Sequence, residues 1–398
     1  MAGWQTIKLS DVVRTNVSTY SLSDNWEFVN YLDTGNIVAN EIALIQRIEL
    51  AQGEKLPSRA RRKVEIGDII YSTVRPNQLH YGFIDNIPEN FLVSTGFAVL
   101  HPEKGKIDAR FLYYLLVQND ITEKLQAIAE QSTSTYPSIK PSDIENLDFI
   151  VPEIKAQRKI SNILSAIDKK IELNAQINHN LEEQAKALYD QIWDNYDSGT
   201  WSSAKAEDLF DISIGKTPPR KESQWFSEND NDIVWVSIAD MGQSGCFISN
   251  SSEYLTPDAV SKFNVKRVPA GAILLSFKLT VGRVAITGCE LTTNEAIAHF
   301  RMEDSTIREY LYFYLKHFNY QTMGSTSSIA TAVNSKMVKA MCIDIPARET
   351  LENFHSTVFP MFEQIKQNQQ EIQTLAQLRD TLLPKLMSGE LDVSEVEV

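Results

Sequence analysis

One uninterrupted stretch constrains the fold of this chain more than any other feature. Between Pro152 and Gly199 the sequence contains neither proline nor glycine, the residues that most disfavour a helix interior. Apolar residues recur there at steps of three and four, which is the spacing of a helix with one apolar face. From Glu153 to Trp193 such a helix would extend about 60 Å, at about 1.5 Å per residue. A helix of this length is either a buried bundle helix or one half of a coiled coil, and in both cases it needs a partner.

A second stretch of the same chain repeats this pattern 194 residues later. Pro152 corresponds to Pro346, and Asn174, the one polar residue of the apolar seam, corresponds to Asn368. A single asparagine in an apolar seam costs stability but fixes the register of paired helices, so the two matched asparagines favour pairing of these helices with each other. Pro360 lies inside the second stretch and predicts a kink or a late start there. The predicted seam residues are Ile167, Ile171, Asn174, Leu181, Leu188, Ile365, Asn368, Leu375 and Leu382.

The repeat extends beyond the two helices. Gly67-Asp-Ile-Ile-Tyr-Ser72 resembles Gly271-Ala-Ile-Leu-Leu-Ser276, and Ser132–Thr135 matches Ser325–Ser328 shortly before each helix. Each half therefore reads as a mixed domain followed by a long helix. Because internal repetition decides the fold class, we predict an α+β fold in which a scaffold is duplicated. The predicted segments are a first domain at 1–151, a central helix and linker at 152–199, a second domain at 200–346, a distal helix at 347–391 and an acidic tail at 392–398.

The composition is typical of a globular protein. The chain has 398 residues, of which 43% are hydrophobic and 23% charged, enough for two or three domains with cores. No apolar run reaches the 18 or more residues of a membrane span, and the N-terminus does not resemble a signal peptide. Cys246, Cys289 and Cys342 are far apart and odd in number. We expect them to be reduced, buried thiols of a cytoplasmic protein without a membrane partner.

The charge pattern matters more than the total charge. A net charge of −14 argues at first against a nucleic-acid partner, but local charge decides such binding. Lys55–Lys63 (KLPSRARRK) contains five basic residues and no acid, and Gly215–Lys221 (GKTPPRK) contains three basic residues. A lone basic run is often only a solvated loop. Two such runs in duplicated domains favour a shared anionic partner.

The sequence contains no complete motif of a known catalytic site. Gly215-Lys216-Thr217 resembles the end of a phosphate-binding loop, but Phe210 stands where that motif needs glycine. Asp143, Glu153 and Lys155 weakly imitate the carboxylates and lysine of a metal-dependent nuclease, yet Glu153 opens a helix instead of following a strand. The histidines and cysteines do not have zinc spacing, and the sequence has no G-x-S-x-G motif. The chain therefore reads as a binding component, with a divergent nuclease as the enzymatic alternative.

Four stretches carry a resemblance to a known family. They are Gly215-Lys-Thr-Pro-Pro-Arg220, Gln157-Arg-Lys-Ile160, Gln184-Ala-Lys-Ala-Leu188 and Leu378-Arg-Asp-Thr-Leu-Leu-Pro-Lys-Leu-Met-Ser-Gly-Glu-Leu391. In this order, and together with the duplication, the chain resembles the specificity (S) subunit of type I restriction-modification systems over nearly its whole length. The distal helix departs from the pattern at its entry, where Arg348-Glu-Thr-Leu351 replaces the Gln-Arg-Lys-Ile motif. That departure puts the contacts at this helix end in doubt.

The resemblance implies a function. Two target recognition domains would each read one half of a bipartite DNA site for adenine methylation or restriction by partner subunits, and the long helices would pack as an antiparallel coiled-coil spacer. The partners would be double-stranded DNA, two modification (methyltransferase) subunits and, where the system has them, two restriction subunits. S-adenosylmethionine, ATP and Mg²⁺ would bind in those subunits. This chain itself would hold no cofactor, no metal and no catalytic residue.

The candidate DNA contacts lie on the basic runs and on the loops that follow two buried strands. Basic side chains would contact phosphates, while arginine, asparagine and glutamine could read base edges. The candidates are Arg59, Arg61, Arg62, Lys63, Arg75, Asn77, Gln78, Lys216, Arg220, Lys221, Lys278 and Arg283. The alternative from another class is a coiled-coil scaffold that joins two protein-binding domains and has no DNA role.

Overall fold

The structure, a computed structural model, describes residues 4–132, 136–195, 199–323, 333–394 and 396. It divides into two compact units, one formed by Met1–Lys169 with Leu375–Val398 and the other by Lys170–Thr374. In the predicted match of Ser132–Thr135 with Ser325–Ser328, every residue except Ser132 lies outside the described residues. Within the described ranges, no helix combines the length and the apolar character that crossing a membrane requires. The predicted division into five segments stays a prediction.

The first unit contains two four-stranded sheets. One has the order β6-β3-β10-β7, in which β3 and β10 are parallel, and the other is the antiparallel sheet β2-β11-β8-β9. Strands β1 and β12 pair separately, as do β4 and β5. The strands are β1 Gln5–Lys8, β2 Val13–Thr15, β3 Val29–Leu32, β4 Ile37–Val38, β5 Glu41–Ile42, β6 Gln46–Ile48, β7 Ala60–Arg62, β8 Ile69–Ser72, β9 Tyr81–Phe83, β10 Phe91–Ser94, β11 Phe97–Pro102 and β12 Asp148–Val151. The helices before the first long helix are α1 Ala109–Leu116, α2 Asn119–Glu130 and α3 Pro141–Glu145.

The second unit repeats this plan. Its sheets have the orders β14-β22-β19-β20-β17 and β15-β18-β16-β21, and β13 pairs with β23. The strands are β13 Ser202–Lys205, β14 Asp211–Ile214, β15 Phe226–Ser227, β16 Ile233–Val236, β17 Phe247–Ile248, β18 Tyr254–Leu255, β19 Ile273–Ser276, β20 Val284–Thr287, β21 Thr292–Thr293, β22 Ile297–Arg301 and β23 Cys342–Ile345. The long helices are α4 Ile154–Asp194 and α10 Arg348–Ser388, and the shorter ones are α5 Ala206–Leu209, α6 Ile238–Gln243, α7 Pro257–Lys262, α8 Arg308–His317 and α9 Ser335–Ala340.

Strand pairing confirms the predicted α+β duplication. The order β2-β11-β8-β9 recurs as β14-β22-β19-β20, and the parallel pair β3–β10 recurs as β16–β21. Ser72 ends β8 opposite Phe97, and Ser276 ends β19 opposite Ile297. The two sequence stretches that resemble each other around these serines therefore form corresponding strands, β8 and β19, in the corresponding sheets of the two units.

The two long helices match each other in length and position. Each has 41 residues, and both their first and their last residues are 194 apart. Helix α10 begins at Arg348 and continues through Pro360. Of the two alternatives predicted there, the late start was wrong and the kink stays a prediction. Pro360 lies on the exposed side of the helix, where a carbonyl left without its intrahelical partner can bind water.

Polar contacts between the helices confirm the antiparallel coiled coil. The pairs are Asp168 Oδ1 with Arg379 Nη1 at 3.1 Å, Glu371 Oε2 with Asn174 Nδ2 at 2.8 Å and Asn178 Oδ1 with Asn368 Nδ2 at 2.8 Å. The residue number falls along α10 as it rises along α4, so the helices run in opposite directions. The matched asparagines do not bond to each other; each finds a polar group on the opposite helix.

The predicted seam differs in burial along its length. Asn174, Ile365 and Asn368 are buried. The remaining predicted positions are half-buried, namely Ile167, Ile171, Leu181, Leu188, Leu375 and Leu382. At both ends the helices join the cores of the units. Leu386 and Met387 of α10 are buried in the apolar core of the first unit. Phe362 is buried in the second unit, where its ring packs against Tyr312 and Phe313 of α8.

The start of α4 is anchored by a buried amide. Gln157 is 1% exposed, its Nε2 donates to Pro152 O at 2.9 Å, and its Oε1 accepts from the backbone N–H of Asp108 at 2.9 Å. At the matching place on α10 stands Leu351, which is buried in an apolar cluster. The departure of the distal helix from the Gln-Arg-Lys-Ile motif therefore replaces a hydrogen-bonded anchor by packing.

We expect Gln157→Leu to lower the free energy of unfolding by about 1–3 kcal/mol, because it leaves the Asp108 N–H and the Pro152 carbonyl unpaired. Urea titration followed by fluorescence measures the change. The matched control is Gln184→Leu, at an exposed site of the same helix, for which a change within about 0.5 kcal/mol is expected. Equal effects of the two substitutions would contradict an anchoring role.

Candidate nucleic-acid interface

In the first unit, the turn between β10 and β11 brings two predicted elements together. Arg59 O accepts a hydrogen bond from Thr95 N–H at 2.8 Å. Thr73, which follows β8, donates to Gly96 O from its backbone N–H at 2.8 Å and from Oγ1 at 2.9 Å. The basic run and the loop after β8 are thus tied to the same turn through backbone groups.

The cations of the basic run are in different environments. Arg59 and Arg61 are exposed. Arg62 ends strand β7, and burial lowers the pKa of its guanidinium. The ammonium group of Lys63 donates to Asp24 Oδ1 at 2.6 Å, and this hydrogen bond lowers the pKa of the Asp24 carboxyl. The run is therefore partly strand instead of loop. Of its four predicted contact residues, Arg59 and Arg61 are the exposed ones.

The loop after β8 carries two exposed side-chain amides next to an arginine that is fixed by contacts within the protein. Arg75 adopts a left-handed backbone with φ +49°. Its N–H donates to Pro137 O at 2.9 Å, and its guanidinium lies 4.8 Å from the centre of the Tyr136 ring. Asn77 and Gln78 follow it in a single helical turn, and both are exposed.

In the second unit, two predicted cations are engaged within the protein. Lys216 Nζ donates to Phe263 O at 2.6 Å. Arg220 binds both carboxylate oxygens of Glu253, at 2.7 and 2.9 Å, and its guanidinium lies 4.5 Å from the centre of the Trp235 ring. A bidentate pair of this kind fixes the arginine, so Arg220 holds the shape of its loop.

The remaining predicted residues of the second unit fall into two groups. Arg283 Nη1 donates to Ile238 O at 2.5 Å. Lys221 and Lys278 are exposed, and over the part of the chain that is described no ion pair engages either of them. Among the predicted residues of this unit, these two lysines are exposed and make no ion pair within the described ranges. A DNA-binding role for any of the twelve candidates stays a prediction.

The loops of the second unit also meet on a turn. Lys216 N–H donates to Thr293 O at 2.9 Å, and Phe277 N–H, just after β19, donates to Ala296 O at 2.9 Å. A Cβ atom added to Gly215 would lie 2.1 Å from Asn294 O, so only glycine permits this close approach. The arrangement repeats that of the first unit, where Thr73 N–H donates to Gly96 O.

Sequence reasoning missed the residue that lies beneath this turn. His299 is fully buried, with Nδ1 3.0 Å from Ser213 Oγ and Nε2 2.7 Å from Thr293 Oγ1. Burial, aided by the charge of Arg301, lowers the pKa of His299 to about 3. A neutral imidazole therefore links strand β14 to the turn. A lone histidine in a strand gave no signal of this role.

The cysteines and the metal-binding residue types were also considered as parts of a site. All three cysteines are free; Cys246 is buried and Cys289 half-buried, but Cys342 is exposed, so its predicted burial was wrong. Burial raises the pKa of the Cys246 thiol to about 12, which suits a packing role. Among the described residues, no group of three or more His, Cys, Asp or Glu side chains is placed to hold a metal ion.

Comparison with known proteins gives consistent relatives. The family described as "Type I restriction modification DNA specificity domain" matches residues 1–183 and 198–377. The chain is 26% identical to the type I restriction enzyme HindI specificity subunit of Haemophilus influenzae, over 98% of this chain and 100% of that protein. It is also 26% identical to the MjaIX specificity subunit of Methanocaldococcus jannaschii, over 90% and 87% of the two proteins. The solved S subunit of a type I system from M. genitalium has 14% identity over 96% of both chains and a TM-score of 0.61, which indicates a shared fold.

We expect the buried imidazole to make stability depend on pH. The ordinary pKa of histidine is 6.5, against about 3 for folded His299. Below about pH 6.5 the unfolded chain binds a proton that the folded chain does not, so stability falls as the pH falls, by at most about 1.4 kcal/mol per pH unit from this group. His299→Gln should reduce the loss between pH 7.5 and pH 5, measured by urea titration at each pH.

The matched control is His179→Gln, at an exposed site on α4, which should leave the pH dependence as in the unchanged protein. Identical pH dependence of the His299→Gln variant and the unchanged protein would contradict a neutral His299 in the folded state.

Proposed function

This chain belongs to the type I restriction modification DNA specificity domain family, and we propose that its two recognition domains each read one half of a bipartite DNA site. The observation that carries the proposal is the repeated loop architecture. In both units a segment with basic residues and the loop after a buried strand are tied to one turn by backbone hydrogen bonds. The loop after the buried strand is tied in the same way in both units, whereas the basic segment runs along β7 in the first unit and follows β14 in the second. The accessible side chains differ as well.

The accessible side chains suit contact with a duplex. Arg59 and Arg61 of the first unit, and Lys221 and Lys278 of the second, are exposed cations that can reach phosphates. Asn77 and Gln78 carry side-chain amides, which can form paired hydrogen bonds with adenine. Different base-reading groups on equal scaffolds would give two different half-sequences.

The coiled coil would act as the spacer between the half-sites. Its register is determined by buried asparagines that bond across the helices, and a coiled coil of two 41-residue helices is stiff. The number of unread bases between the half-sites would then follow from helix length instead of from a flexible linker.

The chemistry would reside in partner subunits, as the names of the relatives imply for type I restriction enzymes. Two modification subunits would bind S-adenosylmethionine and methylate adenine, and two restriction subunits, where present, would use ATP and Mg²⁺ for translocation and cleavage. A net charge of −14 supports this division, because an acidic reader leaves much of the phosphate contact to its partners. Acting on cellular DNA, the complex would work in the cytoplasm.

Methylation mapping tests the proposal and the spacer together. The chain is co-expressed with its modification subunit, and N6-methyladenine is mapped in the host genome. We expect one split motif. One heptad is inserted into each helix, next to Asn174 in α4 and next to Glu371 in α10, so that the insertions face each other. The coiled coil then lengthens by about 10 Å. The motif should gain about three unread base pairs, at about 3.4 Å each, and retain both half-sequences.

The length-preserving control replaces Glu172 and Gln176 of the same helix, exposed residues that bond to each other, by alanine and should leave the motif unchanged. A changed half-sequence at unchanged spacing would rule out the spacer role. Methylation without any split motif, or a complex that binds all duplexes equally, would instead favour the protein scaffold.

We expect the double substitution Arg59→Gln and Arg61→Gln to weaken DNA binding by the complex. Each lost phosphate contact should reduce the slope of log K against log salt by about 0.9. Fluorescence anisotropy from 50 to 200 mM salt measures both effects. The matched control is Lys104→Gln, an exposed charge beyond the other end of β11, and equal slopes for all three proteins would contradict phosphate contact by these arginines.

A further inference from the structure

We propose that Leu279 is a specificity-determining residue that reads the second half-site by apolar contact with the 5-methyl group of a thymine. The inference rests on the proposed function and goes beyond it, since it assigns one residue and the chemical group that it contacts. Leu279 lies at the tip of the loop between β19 and β20 and is 95% exposed.

Hydrogen bonds fix the two ends of the loop that carries Leu279. Ser276 Oγ donates to Thr280 O at 2.6 Å and accepts from Arg283 N–H at 3.0 Å. Phe277 N–H ties the loop to Ala296 O at 2.9 Å. The hydrogen bonds lie on both sides of Leu279, so its full exposure occurs on a loop that is otherwise fixed.

The backbone at Leu279 is unusual for a leucine. Its φ is +59°, a left-handed conformation that glycine or asparagine adopts more easily than a residue with a large side chain. A single exposed leucine is common on protein surfaces. An exposed leucine in a disfavoured conformation, on a clamped loop, is a combination found where strain serves a function.

The first unit has an equivalent position with different chemistry. Arg75 follows Ser72 by three residues, as Leu279 follows Ser276, and it too is left-handed with φ +49°. Both loops are tied to the turn that organises the candidate interface of their own unit. A left-handed position three residues after the strand-ending serine therefore carries a cation in one recognition domain and an aliphatic group in the other.

Leucine can read only one feature of an undistorted base pair. It has no hydrogen-bonding group, and the 5-methyl group of thymine is the apolar feature of the major-groove edges. Lys278, the exposed neighbour of Leu279, could contact phosphate beside it. The geometry thus fits a loop that approaches the major groove with an apolar tip next to a cation.

The test compares thymine with deoxyuridine, which differs only by the methyl group. Once methylation mapping has given the split motif, each thymine of the second half-site is replaced in turn by deoxyuridine, and binding by the intact complex is measured. For the unchanged protein, one replacement should weaken binding about three- to fivefold, the value of one buried methyl group. For Leu279→Ala, the same replacement should have no effect.

The matched control is Leu173→Ala, the same truncation at a half-exposed leucine of α4, which should retain the discrimination. Leu279→Gly guards against misfolding, because it relieves the left-handed backbone and should not lower the melting temperature, yet it should also abolish the discrimination. These two results together would separate base contact from a structural role.

Three results would overturn the assignment of Leu279 but not the proposed function. The first is a second half-site without thymine, and the second is equal discrimination by the unchanged protein and Leu279→Ala. The third is an increase in 2-aminopurine fluorescence that requires Leu279, because it would indicate insertion between bases instead of contact with a methyl group. Absence of any split motif would overturn the proposed function and this assignment with it.

Discussion

The pairing of the two long helices is the constraint on which the rest of the structure depends. Neither helix can bury its apolar seam alone, and each supplies the surface that the other needs. The buried asparagines make this pairing specific, because Asn174 bonds to Glu371 and Asn368 to Asn178. A shift by one turn would leave these amides without partners, at a cost that an all-apolar seam would not impose.

This pairing also closes the first unit. Its core contains Leu386 and Met387 from the end of α10, and Val393 of the predicted acidic tail is buried there too. Lys159 Nζ donates to Val393 O and Ser394 O at 3.2 and 2.8 Å. The core of the first unit is therefore complete only when the segment from Leu382 to Val393 packs onto it. Contacts of such long sequence separation make folding slow.

Periodicity predicted much of this fold, because it reflects burial directly. The helix predicted over Glu153–Trp193 runs over Ile154–Asp194, and the duplication followed from local similarity. Periodicity could not predict the ion pairs. The partners Lys63 and Asp24 are 39 residues apart, and Arg220 and Glu253 are 33 apart, so no local pattern reveals that these cations are engaged. The linking role of His299 depends on three strands meeting and was equally hidden.

The recognition loops show how one scaffold can carry two specificities. The hydrogen bonds from Thr73 to Gly96 and from Phe277 to Ala296 join backbone groups, so they tolerate changes of side chain in the loops. Arg75 and Leu279 occupy equivalent left-handed positions but differ in charge and hydrogen-bonding capacity. Stability resides in the backbone ties and the buried seam, while the fully exposed side chain of Leu279 contributes little to it. Under the proposed function, substitution at this position would change what is read without weakening the fold that presents it.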